Sequence, residues 1–200
     1  MKHNKHLISV KKQIMFMLMF AFIGILTESV IAQTAPNDPL LIPYRQGNKW
    51  GFCTKDKKIV VPCIYDDVGW IDEGLTIVKL NGKYGFINKT GQQVIPCVYD
   101  DIDGFIEGLA KVGLNGKYGF INKTGQQIIP CVYDILWDFD DGLAMVQLNG
   151  KCGYIDKTGK QIIPCVYDDV RRWLYKGLAY VNVNGKWGYI DKTGTQYWED

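Results

Sequence analysis

Two residue types are missing from most of this chain. Both histidines (His3, His6) and both serines (Ser9, Ser29) lie in the first 32 of its 200 residues. Beyond residue 32 this excludes Ser-His-Asp and Cys-His nucleophile systems, and His-ligated zinc or iron sites. Only Asp, Glu, Lys, Tyr and Cys remain for proton transfer or attack. There is no CxxC pair, and no D-x-D-x-D-G calcium loop. No apolar run reaches the roughly 20 residues that span a bilayer as a helix. The chain also lacks a strong charge of one sign. Setting aside residues 1–32 removes four lysines and Glu28, which leaves 19 basic and 20 acidic side chains, a net charge of −1. That is no footprint for nucleic acid or an anionic membrane.

The first 32 residues have the layout of an export signal. Lys2, Lys5, Lys11 and Lys12 precede an apolar run at 14–26, and the small residues Val30 and Ala32 predict cleavage before Gln33. The run of 13 residues is too short for a stable anchor, so no membrane insertion is expected after cleavage. Residues 33–40 read as a polar linker, and 41–200 as the folded part, long enough for one domain with its own core.

That folded part repeats every 34 residues. "NGKYGFINKTGQQVIPCVYDD" at 81–101 returns as "NGKYGFINKTGQQIIPCVYDI" at 115–135 and "NGKCGYIDKTGKQIIPCVYDD" at 149–169. A diverged copy begins at Gly47, and a truncated one starts at Asn184. Such periodicity fixes a repeat architecture. Within a unit, "LTIVKL" (75–80) leads into Asn81-Gly82, the pair that suits a type I′ hairpin turn. "KYGFIN" follows, then "NKTG" with Gly91 at a bulge, then a strand carrying Pro96.

Regular pairing across those turns sets Phe86 opposite Val94 and Gly85 opposite Ile95. One face then carries Leu75, Ile77, Tyr84, Phe86, Val94 and Val98. The other carries Val78, Leu80, Ile87, Ile95, Cys97 and Tyr99, with Gly85 leaving room for a close neighbour. Both faces are apolar, so the units are expected to stack face to face. The predicted fold is all-β: about five three-stranded antiparallel meanders. Each roughly eight-residue connection is expected to cross back over the edge of the sheet, traversing the length of a strand, to restore direction. An open stacked array is favoured over a closed five-bladed, propeller-like ring.

Cys63, Cys97, Cys131 and Cys165 recur in register, and Cys53 and Cys152 replace an Ile and a Tyr. Three roles compete: small buried hydrophobes, a disulfide, and a four-thiolate metal site. Stacked sheets set equivalent atoms about 10 Å apart, beyond the roughly 7 Å between Cα atoms that a disulfide allows. Packing is the favoured role; no metal or cofactor is expected.

The connections 66–74, 100–108, 134–142 and 168–177 hold 14 of the 20 acids beyond residue 32, together with Trp70, Phe105, Trp137 and Trp173. Aromatic faces stack on sugar rings and pack on protein surfaces, and Asp67, Asp101 and Asp169 stand beside them as polar contacts. The same residues also serve as turn caps and core plugs, a reading that stays open. Asn88-Lys-Thr90 and Asn122-Lys-Thr124 match a glycosylation pattern, but their counterparts Asp156 and Asp191 point to a turn role.

The residues resemble the WG-repeat (KWG-repeat) family of bacterial proteins. "GKWGYIDKTG" stands intact at 185–194, and "NKWGF" at 48–52, whereas Tyr84, Tyr118 and Cys152 replace the signature Trp elsewhere. The resemblance implies an all-β repeat protein, often exported, with no catalytic residues to carry over. The expectation is a non-enzymatic scaffold, periplasmic or secreted, that binds a protein or glycan partner. The alternative is a carbohydrate-active protein that uses connection carboxylates.

Overall fold

Alternating apolar strands and Asn-Gly turns produce five antiparallel sheets in sequence order. The computed structural model of the chain describes residues 40–171 and 176–198. The expected export signal, the linker up to Pro39, and Trp173 lie outside the described residues. Sheet A holds β1 (Ile42–Gln46), β2 (Lys49–Cys53) and β3 (Ile59–Tyr65). Sheet B holds β4 (Asp67–Val68), β5 (Leu75–Leu80), β6 (Lys83–Asn88) and β7 (Gln93–Tyr99). Sheet C repeats it as β8 (Asp101–Ile102), β9 (Leu109–Leu114), β10 (Lys117–Asn122) and β11 (Gln127–Tyr133). Sheet D has β12 (Ile135–Leu136), β13 (Leu143–Leu148), β14 (Lys151–Asp156) and β15 (Gln161–Tyr167). Sheet E has β16 (Asp169–Val170), β17 (Leu178–Val183) and β18 (Lys186–Asp191). Among the described residues there is no helix long and apolar enough to cross a membrane.

The turn chemistry acts as expected. Asn81 and Gly82 both take positive φ, 52° and 79°, the combination that a type I′ turn requires. At the second turn the Asn88 side chain accepts hydrogen bonds from the Thr90 and Gln92 N–H groups, each at 3.0 Å. Asp156 and Asp191 cap their own turns in the same way.

The connection does traverse the following strand, but inside the sheet. The Asp66 N–H reaches the Lys79 carbonyl at 2.8 Å, and the Gly69 N–H reaches the Ile77 carbonyl at 2.8 Å. Asp72 then exchanges bonds with Leu75 around a tight Glu73-Gly74 turn. The three expected strands therefore gain a short fourth, and each complete unit is a four-stranded meander.

The regular pairing expected between β6 and β7 does not hold. Tyr84 pairs with Tyr99 and Phe86 with Ile95, so Gly85 alone stands opposite Pro96–Val98. Pro96 cannot donate to a ladder, and the strand bulges around it. The bulge folds its backbone onto Gly85, where a Cβ would lie 2.5 Å from the Ile95 carbonyl oxygen. It also redistributes the faces. Ile95 and Tyr99 join Phe86 in the core against sheet C, Cys97 stays with Val78 and Ile87 against sheet A, and Val98 turns outward, 46% exposed.

Four buried clusters hold the sheets together, one each between A and B, B and C, C and D, and D and E. Their centres are fully buried branched residues such as Ile87, Ile95, Ile121 and Ile129. Each such side chain contributes about 1.5–3 kcal/mol by leaving water. Among the described residues no buried cluster joins sheet E back to sheet A, in keeping with the open array favoured from the sequence. All six cysteines are free thiols; Cys53 and Cys152 are buried and the other four half-buried. Cys97, Cys131 and Cys165 each pack against a core between sheets.

Candidate functional site

Ten of the fourteen connection carboxylates fall into three structural roles. The first Asp of each connection ties consecutive sheets together. Lys49 pairs with Asp66 at 2.5 Å, and Lys83, Lys117 and Lys151 pair likewise with Asp100, Asp134 and Asp168. The other oxygen of each carboxylate accepts an N–H from the Asn-Gly turn of the following sheet: Gly82 at 3.1 Å, Asn115 at 2.8 Å, Asn149 at 2.7 Å and Asn184 at 2.6 Å. The lysine hydrogen bond, aided by the backbone N–H groups, holds all four carboxyls below the usual carboxylate range.

Asp67, Asp101 and Asp169 make a local bond, each accepting the N–H of the next residue at 2.8–3.0 Å. The third role belongs to acids in the tight turn before the long strand. Glu73 pairs with Lys123, Glu107 with Lys157, and Asp141 with Lys192 at 2.5 Å. Sequence reasoning missed these pairs, because their members stand 50 or 51 residues apart; the recurring signal was a Lys in "NKTG" or "DKTG".

The connection aromatics are not equivalent to one another. Phe105 lies on Phe86 with ring centroids 4.7 Å apart, and Phe139 lies on Phe120 at 4.9 Å. The same position in the first connection is Ile71, which packs against the A–B core. Counted back from the following Gly-Leu, Phe139 rather than the expected Trp137 is the counterpart of Phe105. Trp70, one residue earlier, is 76% exposed, and Trp137 packs against the D–E core.

Two of the expected site residues, Trp70 and Phe105, meet in one cleft between sheets B and C. Its floor is Leu75, Ile77 and Phe86, and Glu73 and Lys123 stand at its rim. Lys123 Nζ sits 6.0 Å from the Phe105 ring centroid. The cleft encloses about 100 Å³. One repeat later the same cleft recurs between sheets C and D with Leu109, Phe120, Phe139, Glu107 and Lys157, but it encloses only about 20 Å³. There Lys111 takes the place of Ile77 and reaches Asp103 at 2.8 Å and Asp138 at 3.7 Å. Burial disfavours the charge on Lys111, but those two carboxylates outweigh it and raise its pKa. Among the described residues no group of three or more His, Cys, Asp or Glu is placed to hold a metal ion.

No curated protein sequence matches the chain. Among solved structures, Hsv2 of Kluyveromyces lactis (complete loop 6CD) aligns at 8% identity with a TM-score of 0.41, covering 78% of this chain and 57% of that one. A eukaryotic initiation factor aligns at 12% identity with a TM-score of 0.44, covering 77% and 48%. The chain thus spans about half the length of these solved chains, and no activity is read from likeness at such scores. The family comparison is specific. The model of the WG containing repeat matches four times in tandem, at residues 50–84, 84–118, 118–152 and 153–187. With four matched copies in the register of five stacked sheets, the chain belongs to the WG-containing repeat family.

Proposed function

We propose that this protein is an exported, non-enzymatic β-repeat scaffold, periplasmic or secreted, that binds a protein or glycan partner through its connection face. The observation that carries the reading is the open B–C cleft with Trp70 exposed at its mouth. A large aromatic left in water beside an apolar recess is a typical centre of recognition. Glycoside hydrolysis by connection carboxylates, the alternative, needs one carboxyl kept protonated opposite a second, a part for which the first Asp of each connection is unsuited. Asp66, Asp100, Asp134 and Asp168 are instead held ionised by their lysines.

The test has two arms. The exported product should begin at or near Gln33, and it should retain from envelope or culture-fluid extract a partner that the Trp70→Ala variant does not retain. Release of reducing sugar from envelope polysaccharide would overturn the non-enzymatic reading. Recovery of an intact Met1 chain in the membrane fraction would overturn the assignment as a soluble exported protein.

A further inference from the structure

We infer that the B–C cleft is a docking site for a protein partner, which inserts one apolar side chain there from a basic segment. The inference rests on the scaffold reading and narrows its partner to one class. It starts from the difference between two copies of one feature. In the C–D copy, Lys111 lies across the recess and is answered by Asp103 and Asp138. The positions matching this trio in the B–C copy are Ile77, Gly69 and Gly104, so the ion pair is absent and the recess stays open. Trp70 then adds an indole at the mouth, where the C–D copy has Gly104.

The dimensions decide what fits. About 100 Å³ is smaller than the roughly 150 Å³ that holds benzene, and far below the 300 Å³ or more of small-molecule pockets. It suits a single aliphatic side chain. The lining favours the same occupant. Leu75, Ile77, Phe86 and Phe105 are apolar, and the rim groups Glu73 and Lys123 already satisfy each other. A sugar ring would require several free hydrogen-bonding groups around its hydroxyls. Beyond the Glu73–Lys123 pair and the Trp70 indole N–H, the lining side chains offer only the Thr76 hydroxyl, which donates to the Ile77 carbonyl, and the Asp72 carboxylate. Charge supplies the flanks of the partner: residues 66–74 carry four carboxylates and no base. The charged residues that line the cleft, Asp72, Glu73 and Lys123, sum to −1 because Lys123 answers Glu73 alone, which is complementary to lysine or arginine beside the inserted residue.

The test is a ¹⁵N NMR titration of the purified protein with the blocked pentapeptide Gly-Lys-Leu-Lys-Gly. Shifts are expected at the Trp70 indole and at the amides of Glu73, Ile77 and Phe105. Affinity should fall by about tenfold when the central Leu becomes Ala, as expected for losing part of a buried isobutyl group. It should also fall when the lysines become Glu. The variant Gly69→Asp/Ile77→Lys/Gly104→Asp, which copies the C–D trio, should abolish the shifts. The reverse variant Lys111→Ile/Asp138→Gly should create a second set of shifts around Phe139. If the triple variant does not fold, Trp70→Gly, which copies position 104, must weaken binding instead. Equal affinity for the Leu and Ala peptides, or binding retained in the folded triple variant, would overturn the inference. So would displacement of the peptide by a chito-oligosaccharide that itself shifts the cleft. Each of these leaves the scaffold reading standing, whereas sugar release from polysaccharide would remove the scaffold reading itself.

Discussion

Sheet C and sheet E keep the same glycine, and cover it by different means. In sheet C a Cβ on Gly119 would lie 2.4 Å from the Ile129 carbonyl oxygen and 2.7 Å from the Pro130 carbonyl carbon, because the bulged last strand presses its backbone onto that point. Sheet E has no Pro-Cys strand. Its final segment lies against β18 through the Tyr197 N–H and the Tyr189 carbonyl, 2.8 Å apart, and sets the Trp198 ring over Gly188. A Cβ there would come within 2.4 Å of that ring. The glycine of the WG motif is thus required by close approach from the third strand position, whichever group makes the approach. The two sheets differ in how readily the covering group can yield.

The largest effect should come from placing the same methyl at both sites. The covering backbone is held to β10 by ladder pairs on both sides of the bulge, Tyr118 with Tyr133 and Phe120 with Ile129. It cannot swing away as a side chain can, so Gly119→Ala should cost about 4 kcal/mol or more, a level reached only by severe strain. That is a large share of the 5–15 kcal/mol typical of a whole domain. Gly188→Ala displaces a half-buried side chain at the end of the array, and should cost about 1–3 kcal/mol. Urea unfolding followed by tryptophan fluorescence measures both. Equal midpoints for the two variants would break the distinction between backbone cover and side-chain cover.

The history of that glycine also shows what the sequence can and cannot convey. A Gly between two apolar residues in every copy signals a close neighbour, and the Asn-Gly pairs signal their turns, since both depend on local covalent geometry. The neighbour itself was misplaced. Regular pairing put Phe86 opposite Val94, whereas Pro96 shifts the ladder and delivers Ile95 and Tyr99 to the other core. The fourth strand was hidden for a related reason. Two residues such as Asp67–Val68 have no periodicity to detect, and their bonds to β5 appear only when the chain has turned back. At the site, Trp70 and Phe105 were legible as aromatics among acids, but the cleft is made by residues that are absent. Gly69, Gly104 and Ile77 matter there because their counterparts Asp103, Asp138 and Lys111 close the next copy. Reading that requires knowing which positions coincide in space.

Acid should sharpen the comparison at intermediate scale, through the Asp that joins each sheet to the next. Asp134 links sheets C and D, and Asp168 links D and E, by the same lysine pair and turn N–H. Both carboxyls titrate lower in the folded state than the unfolded value near 4. Their stabilisation is therefore complete above that value and is lost as pH falls through the folded pKa. The melting temperature should be level from pH 7 to about 5, and should drop below about 4. Asp134→Asn should lower the cooperative transition of the whole array and flatten its acid limb. Asp168→Asn should mainly loosen the last sheet, which hydrogen exchange at the β17 and β18 amides will report. A uniform rise in exchange from sheet A to sheet E in Asp168→Asn would show that the array unfolds only as one block.

The smallest effect is chemical. The bulge of sheets A to D carries Cys63, Cys97, Cys131 and Cys165, half-buried, and sheet E has no cysteine at that place. Burial pushes the thiols of Cys97, Cys131, Cys152 and Cys165 above their ordinary pKa, which lowers the thiolate fraction that reacts. In native protein at pH 7.5 a maleimide should therefore label these residues slowly, with Cys152 among the slowest because it is only 4% exposed. Unfolding without reductant should release all six thiols. Two or fewer would mean that the cysteines cross-link the sheets, and that packing alone does not account for their placement in the bulge. If six appear, the labelling order then reads out the comparison directly. Thiols in the bulges should gain reactivity together when Gly119→Ala strains sheet C, and remain slow in Gly188→Ala, where the altered sheet carries no thiol of its own.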